Sequence, residues 1–178
     1  MGTITASFAY PGDTHYNSVT SSTDSITSTK AAGSVSVSAS PATPITYGTS
    51  VTVTANVGSG ETGTINFEYS TDGATYSSIT SCNAQTISST SATCVTTAIP
   101  AGTVDLNAVY SGDANHNTAT SSAYAYVVNK ATQSTLTITT TSATYNGSAY
   151  TLNLATSGGS GTGAVTYVAA NGTATGCA

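Results

Sequence analysis

The chain is poor in charge, and that poverty excludes several functions at once. Only 5% of its 178 residues are Asp, Glu, Lys or Arg, against about a quarter in an ordinary soluble domain. The two basic residues, Lys30 and Lys130, cannot neutralise a run of phosphates, so nucleic acid is not an expected partner. The same shortage argues against adhesion to an anionic membrane. No stretch approaches the roughly 20 apolar residues of a membrane-spanning helix, so membrane insertion is not expected either. The start, Met1-Gly2-Thr3-Ile4-Thr5, has neither the basic nor the apolar region of a signal peptide and reads as an arbitrary cut. Tryptophan is absent, phenylalanine occurs twice, and there are only three cysteines.

Ser, Thr, Asn and Gly fill the space that charge leaves. From Ala131 to Ala178 no side chain is charged, and the net charge of the whole is −5. A surface solvated by hydroxyls and amides depends little on ionisation, which suits an exported protein that meets varied pH and salt. Low charge can also accompany disorder, but disordered chains lack alternating β-branched and aromatic residues. This chain is full of them, with Tyr (11) far outnumbering Phe.

A repeat organises the sequence. Residues 2–31 lie over residues 102–131 at an offset of 100 without a gap. Gly2-Thr3-Ile4 meets Gly102-Thr103-Val104. Ala9-Tyr10-Pro11-Gly12-Asp13 meets Val109-Tyr110-Ser111-Gly112-Asp113, and Lys30-Ala31 meets Lys130-Ala131. The correspondence continues more weakly: Thr46-Tyr47 with Thr144-Tyr145, Thr62-Gly63-Thr64-Ile65 with Thr162-Gly163-Ala164-Val165, and Asp72-Gly73 with Asn171-Gly172. Small shifts between these anchors imply short changes in surface loops. The expected organisation is the end of one unit (1–30), one complete unit (31–130) and the beginning of a third (131–178). Since both ends would fall inside a unit, the chain is expected to be a piece of a longer array.

Within the complete unit, period-2 alternation recurs between turn residues, the pattern of an all-β sandwich. Strands are expected over 34–40, 50–57, 63–69, 76–81, 92–99, 103–110 and 121–128, with a tight turn at Thr71-Asp72-Gly73. That makes about seven strands in about a hundred residues, the size of an immunoglobulin-like sandwich. Residues 128–135 are expected to link two units.

The run Ile99-Pro100-Ala101-Gly102-Thr103, followed by Ala108-Val109-Tyr110-Ser111-Gly112-Asp113-Ala114-Asn115-His116, resembles the bacterial Ig-like repeat domains of large surface proteins. His116 stands where tyrosine is usual; the first segment keeps Tyr16 but has His15 where asparagine is usual. The glycine-rich Gly159–Gly163 and the stretch from Asn171 to Cys177 are similar to the Ser/Thr-rich Ig-like repeats of secreted bacterial proteins. This resemblance implies a tandem immunoglobulin-like fold and an extracellular or cell-surface location. Its members act as stalks, spacers and adhesive modules, and the resemblance carries no binding residue over.

Cys82 and Cys94 lie in or beside consecutive strand candidates, and export favours a disulfide between them. Such a bond would stabilise by about 2–3 kcal/mol on chain entropy; two buried free thiols are the alternative. Cys177 sits where Cys82 sits in its own unit, so its partner is expected beyond Ala178, and it is left unpaired by truncation.

Other motifs are weak. Gly58-Ser59-Gly60-Glu61-Thr62-Gly63 fits a dinucleotide-binding pattern, but the next residues, Thr64–Tyr69, alternate like a strand, whereas the pattern needs a helix N-terminus. Asp13 with His15 and Asp113 with His116 offer no third metal ligand. Gly12-Asp13 and Gly112-Asp113, with Tyr10 and Tyr110, read better as a repeated loop in which Asp bonds its own backbone. Lys30 and Lys130 fall at junctions and read as solvated linker lysines. No nucleophile, base and orienting acid converge, so no enzyme, cofactor or metal is expected. Asn146-Gly147-Ser148 and Asn171-Gly172-Thr173 fit the glycosylation pattern, which arises easily in so Asn- and Thr-rich a chain. The leading reading is a structural stalk or spacer whose partners are neighbouring units of the same or identical chains. A filament assembled by strand exchange is the first alternative. A module that binds extracellular polysaccharide or a cell surface is the second; Tyr124 and Tyr126, on one face of the last strand, could offer it a small platform, but core or edge packing is the favoured reading of the two rings.

Overall fold

The computed structural model describes residues 1–138 and 156–165. It divides into two units, Met1–Ala131 and Thr132–Ala178. Among the described residues every regular element is a strand. The expectations at Thr144-Tyr145, Asn146–Ser148, Asn171–Thr173 and Cys177 lie outside the described residues.

The first unit opens with a lone hairpin. β1 (Gly2–Ala6) pairs antiparallel with β4 (Asp24–Ser28), and β2 (Ala9–Tyr10) pairs with β3 (Val19–Thr20). No further strand pairs with either ribbon among the described residues.

Two sheets make up the rest of this unit. The smaller has the order β11 (Ser91–Thr96), β7 (Val51–Val57), β5 (Val35–Ser40), all antiparallel. The larger runs β10 (Gln85–Thr86), β8 (Thr64–Ser70), β12 (Gly102–Tyr110), β14 (Tyr124–Asn129), β6 (Ile45–Thr46). Short β9 (Ser77–Ser78) adds to β8, and β13 (Ala119–Thr120) to β12. The chain crosses between sheets repeatedly, as in immunoglobulin-like sandwiches.

Alternation explains the layers. Side chains along a strand point to opposite faces, so the valines and alanine at 51, 53, 55 and 57 all reach the core from β7. Ile65 and Phe67 reach it from β8, and Val104, Leu106, Ala108 and Tyr110 from β12. Together they fill the space between the sheets, while the intervening Ser and Thr face outward.

Several expected boundaries are corrected. The strand at 76–81 shrinks to Ser77–Ser78, because Ile79 turns into the core and Cys82 N–H donates back to its carbonyl. The strand from Ala92 ends at Thr96 instead of 99, where Thr96 Oγ1 accepts from the Ala98 N–H and stops the ladder. Val128 is not linker: it is buried in β14 and lies opposite Ile45, and Asn129 opposite Thr46, in a parallel pairing. The expected 121–128 strand is interrupted at Ser121, whose hydroxyl accepts from the Ala108 N–H at 3.0 Å. The Ser121 N–H donates to the Ala108 carbonyl at 2.9 Å.

The register of the hairpin repeats that of the sandwich. Gly2 faces Ser28 and Ala6 faces Asp24; Gly102 faces Val128 and Leu106 faces Tyr124. Ala9–Thr20 and Tyr10–Val19 likewise match Val109–Thr120 and Tyr110–Ala119. Every pair is displaced by 100 residues. What differs is cover. Val104, Ala108 and Tyr126 are buried, whereas their counterparts Ile4, Phe8 and Ile26 are 73%, 83% and 74% exposed.

In the second unit, β15 (Leu136–Ile138) pairs antiparallel with β16 (Thr156–Gly158). Leu136 lies opposite Gly158 and Ile138 opposite Thr156, as Val35 lies opposite Val57 and Val37 opposite Ala55, here at an offset of 101.

Candidate functional site

One cluster of polar side chains lies at the loop after β12. After β12 the chain reverses at Gly112, whose φ of +73° suits glycine. Asp113 then folds its carboxylate over the turn. Its Oδ1 accepts from the backbone N–H of Asn115 and of His116, both at 2.7 Å, and the Asp113 N–H donates to the His116 carbonyl at 3.1 Å. Oδ2 accepts from the Tyr110 hydroxyl at 3.0 Å and from the Thr62 N–H at 2.8 Å. His116 Nδ1 lies 3.0 Å from Oδ1. This is the self-bonded Asp loop expected from sequence, extended by a strap from the β7–β8 loop.

So many donors favour the ionised form. The Thr62 N–H, then those of Asn115 and His116 with the His116 ring, hold the Asp113 carboxyl far below the usual carboxylate range despite partial desolvation. Tyr110 moves the other way. Burial first, then its bond to Asp113, pushes its hydroxyl up to about 12.

The first segment builds the same loop. Gly12 has φ +84°, the Tyr10 hydroxyl donates to Asp13 Oδ2 at 2.6 Å, and the N–H groups of His15 and Tyr16 donate to Oδ1 at 2.7 and 2.8 Å. The Tyr10 bond is the main reason that the Asp13 carboxyl is lowered and the Tyr10 hydroxyl raised. The histidines do not correspond: His15 Nδ1 lies 2.9 Å from Thr14 Oγ1, not on the aspartate. Among the described residues no three His, Cys, Asp or Glu side chains come together as a metal-binding set.

The Asp113 loop also receives the segment that enters the sandwich. The Ala31 N–H donates to the Asn115 carbonyl at 2.8 Å, and the Asn117 N–H donates to the Ala31 carbonyl at 2.9 Å. Lys30 Nζ donates to the Asp113 carbonyl at 2.6 Å, so it is a clamp and not merely a solvated linker lysine. Gly33 passes so close that a Cβ there would stand 2.2 Å from the Asn117 carbonyl oxygen. Sequence reasoning missed this seam because its partners lie more than eighty residues apart.

Glu61, in the β7–β8 loop, is buried; its Oε1 accepts from the Ser34 N–H at 2.8 Å and lies 3.2 Å from the Ser34 hydroxyl. The glycine-rich 58–63 segment runs directly into β8, so it lacks the helix N-terminus that phosphate binding needs. Tyr126 packs in the core, as favoured from sequence: it is buried and its hydroxyl donates to the Pro41 carbonyl at 2.7 Å, with the half-buried Tyr124 ring 6.3 Å away.

Cys82 and Cys94 form a disulfide. Cys82 hangs from the larger sheet, its carbonyl accepting from Phe67 N–H of β8, while Cys94 belongs to β11 of the smaller one. The bond therefore staples the two sheets across the core.

Hydrogen-bond clamps and one disulfide staple make up the site. No curated protein and no solved structure matches the chain. The profile of the bacterial Ig-like domain (group 3) matches residues 37–129, more than half of the chain, and the chain belongs to that family.

Proposed function

We propose that this chain is a stretch of a tandem array of Ig-like sandwiches that serves, without catalysis, as a stalk or spacer of a bacterial surface protein. The observation that carries the reading is the repeated register: the 1–28 hairpin and the β12–β14 hairpin pair residue for residue at an offset of 100, down to the Tyr–Asp bond of their loops. A sequence that repeats the same geometry in a second segment is building length.

The seam at Lys30–Gly33 supports a stiff joint, since this short segment is fixed on the following sandwich by hydrogen bonds and close packing. The same Lys-Ala pair recurs at Lys130-Ala131. The staple between the sheets and the scarcity of charged residues suit an oxidising, variable exterior. In such arrays stability is close to a sum of units and nearest-neighbour contacts.

Electron microscopy of the protein extracted from bacterial envelopes tests this reading. Beaded rods with one bead per unit, labelled on the outer surface of intact cells, are expected. A single globular particle, or label found only after the cells are broken, would overturn it.

A further inference from the structure

The chain enters the sandwich at one end and leaves it at the other. Ala31 is bonded to Asn115 and Asn117, in the loop that follows β12, whereas Asn129 ends β14 just beyond the pairing of Val128 with Gly102 at the start of β12. β12 runs between these two ends, so a pull on the flanking segments draws Ala31 and Asn129 apart along the strand direction. The entering segment forms β5 and then β6. The leaving strand is β14, and it meets the entering segment at β6, where Ile45 lies opposite Val128 and Thr46 opposite Asn129 in parallel.

That parallel pairing decides how load falls on the bonds. Tension pulls β6 from its N-terminal side and β14 from its C-terminal side, and in a parallel pair those pulls are opposite in sense along one line. The two strands must slide past each other, so the bonds that cross the line of pull are strained together. An antiparallel hairpin pulled at its open end instead unzips one bond at a time. β5 is also held lengthwise, over six residues, but its partner β7 is not itself pulled.

Side chains add cross-ties beside the pair. Thr43 Oγ1 donates to the Val127 carbonyl at 3.0 Å and accepts from the Val127 N–H at 2.7 Å. The Tyr126 hydroxyl donates to the Pro41 carbonyl at 2.7 Å, and the Tyr47 N–H to the Asn129 carbonyl at 2.8 Å. On the inner side Ile45, Tyr126 and Val128 are buried, which keeps water from replacing bonds there as they lengthen.

We propose that residues 41–47, laid along 126–129, form a tension-bearing clamp that keeps the sandwich folded when the chain is pulled from both sides. The inference rests on the spacer reading and deepens it, because a spacer is loaded whenever what it holds is drawn away.

Constant-force stretching of single molecules of the whole chain, held by its two ends, tests the clamp; lifetime under force is a direct reading of the unfolding rate. The sandwich's step is identified by its disulfide, which withholds the loop between Cys82 and Cys94. After reduction the step should lengthen by about 40 Å, the extended length of 12 residues. Thr43→Val removes both bonds to Val127 and keeps the shape of the side chain. It should shorten the lifetime about fivefold to thirtyfold, the factor that one to two ordinary hydrogen bonds are worth. Tyr126→Phe keeps the ring in the core, deletes the bond to Pro41, and should shorten the lifetime about fivefold. Asp72→Ala removes three bonds at the turn after β8, away from both loaded strands. It should lower equilibrium stability at least as much as Thr43→Val. Yet it should leave the lifetime within about twofold, since bonds still intact at the mechanical transition state do not change its rate. Lifetimes that Thr43→Val and Tyr126→Phe leave unchanged, or that Asp72→Ala shortens as far as they do, would overturn the proposal. Envelope rods with unchanged lifetimes would leave the spacer reading standing and the clamp refuted. Shortened lifetimes in a protein that forms no rods would sink the spacer reading and leave the clamp as a property of the fold.

Discussion

Reducing the Cys82–Cys94 bond should cost the sandwich a calculable share of its stability. The two cysteines are 12 residues apart in sequence. Loop closure of that length removes about 9–10 cal/mol/K from the unfolded chain, which is about 3 kcal/mol at 25 °C. Packing changes little on reduction, since both sulfur atoms remain in the core, so the entropy is the main effect. For a domain of about a hundred residues each kcal/mol shifts the melting temperature by roughly 4–8 °C, and the reduced protein should melt about 12–24 °C lower. The assay is a calorimetric scan of oxidised and reduced protein at one pH and concentration. A reduced form melting within about 3 °C of the oxidised one, outside the range that this loop length allows, would refute the reasoning. It would mean that the unfolded chain already holds this loop closed.

The packing sets three further outcomes. Gly33→Ala places a methyl group 2.2 Å from the Asn117 carbonyl oxygen, and chemical denaturation should show a loss of about 1–3 kcal/mol as the seam is forced apart. Phe67→Ala empties the centre of β8, where the side chain is fully buried, and should cost about 3–5 kcal/mol in the same assay. Asp113 is held ionised in the folded state, with its carboxyl lowered chiefly by the Thr62 N–H. Its contribution is therefore fully present above the ordinary carboxylate range near pH 4 and is lost as pH falls below that toward the lowered value. Melting temperature against pH should be flat from about 5 to 8 and drop below about 4, and Asp113→Asn should be less stable at neutral pH with a shallower acid limb. An unchanged acid limb in that variant would assign the acid loss to other carboxylates.

The strands that sequence revealed are those whose own alternation decides their fate. Val51, Val53, Ala55 and Val57 leave no other face to bury, and Val104 to Tyr110 behaves alike. The strands that escaped notice are short and defined by their partners. Ile45–Thr46 has no periodicity of its own and becomes a strand by lying parallel to Val128–Asn129; Gln85–Thr86 does so beside Thr64–Ile65. The Gly-Asp loop was legible because its bonds are local, from Asp113 to residues two and three positions on. The donors that complete it were not. Thr62 lies 51 residues upstream and Lys30 83 residues upstream, and nothing local distinguishes a clamping lysine from a solvated one. Glu61 was hidden for the same reason, as its partner Ser34 is 27 residues away.

Amide hydrogen exchange compares the two hairpins within one molecule and tests the account most directly. β1 and β4 share the register of β12 and β14, so only cover separates their protection. In dilute monomer the amides of residues 2–6 and 24–28 should exchange orders of magnitude faster than those of 102–106 and 124–128. Equal protection of both hairpins in dilute monomer would contradict the account, because it would mean that the 1–28 hairpin needs no neighbouring unit to close it.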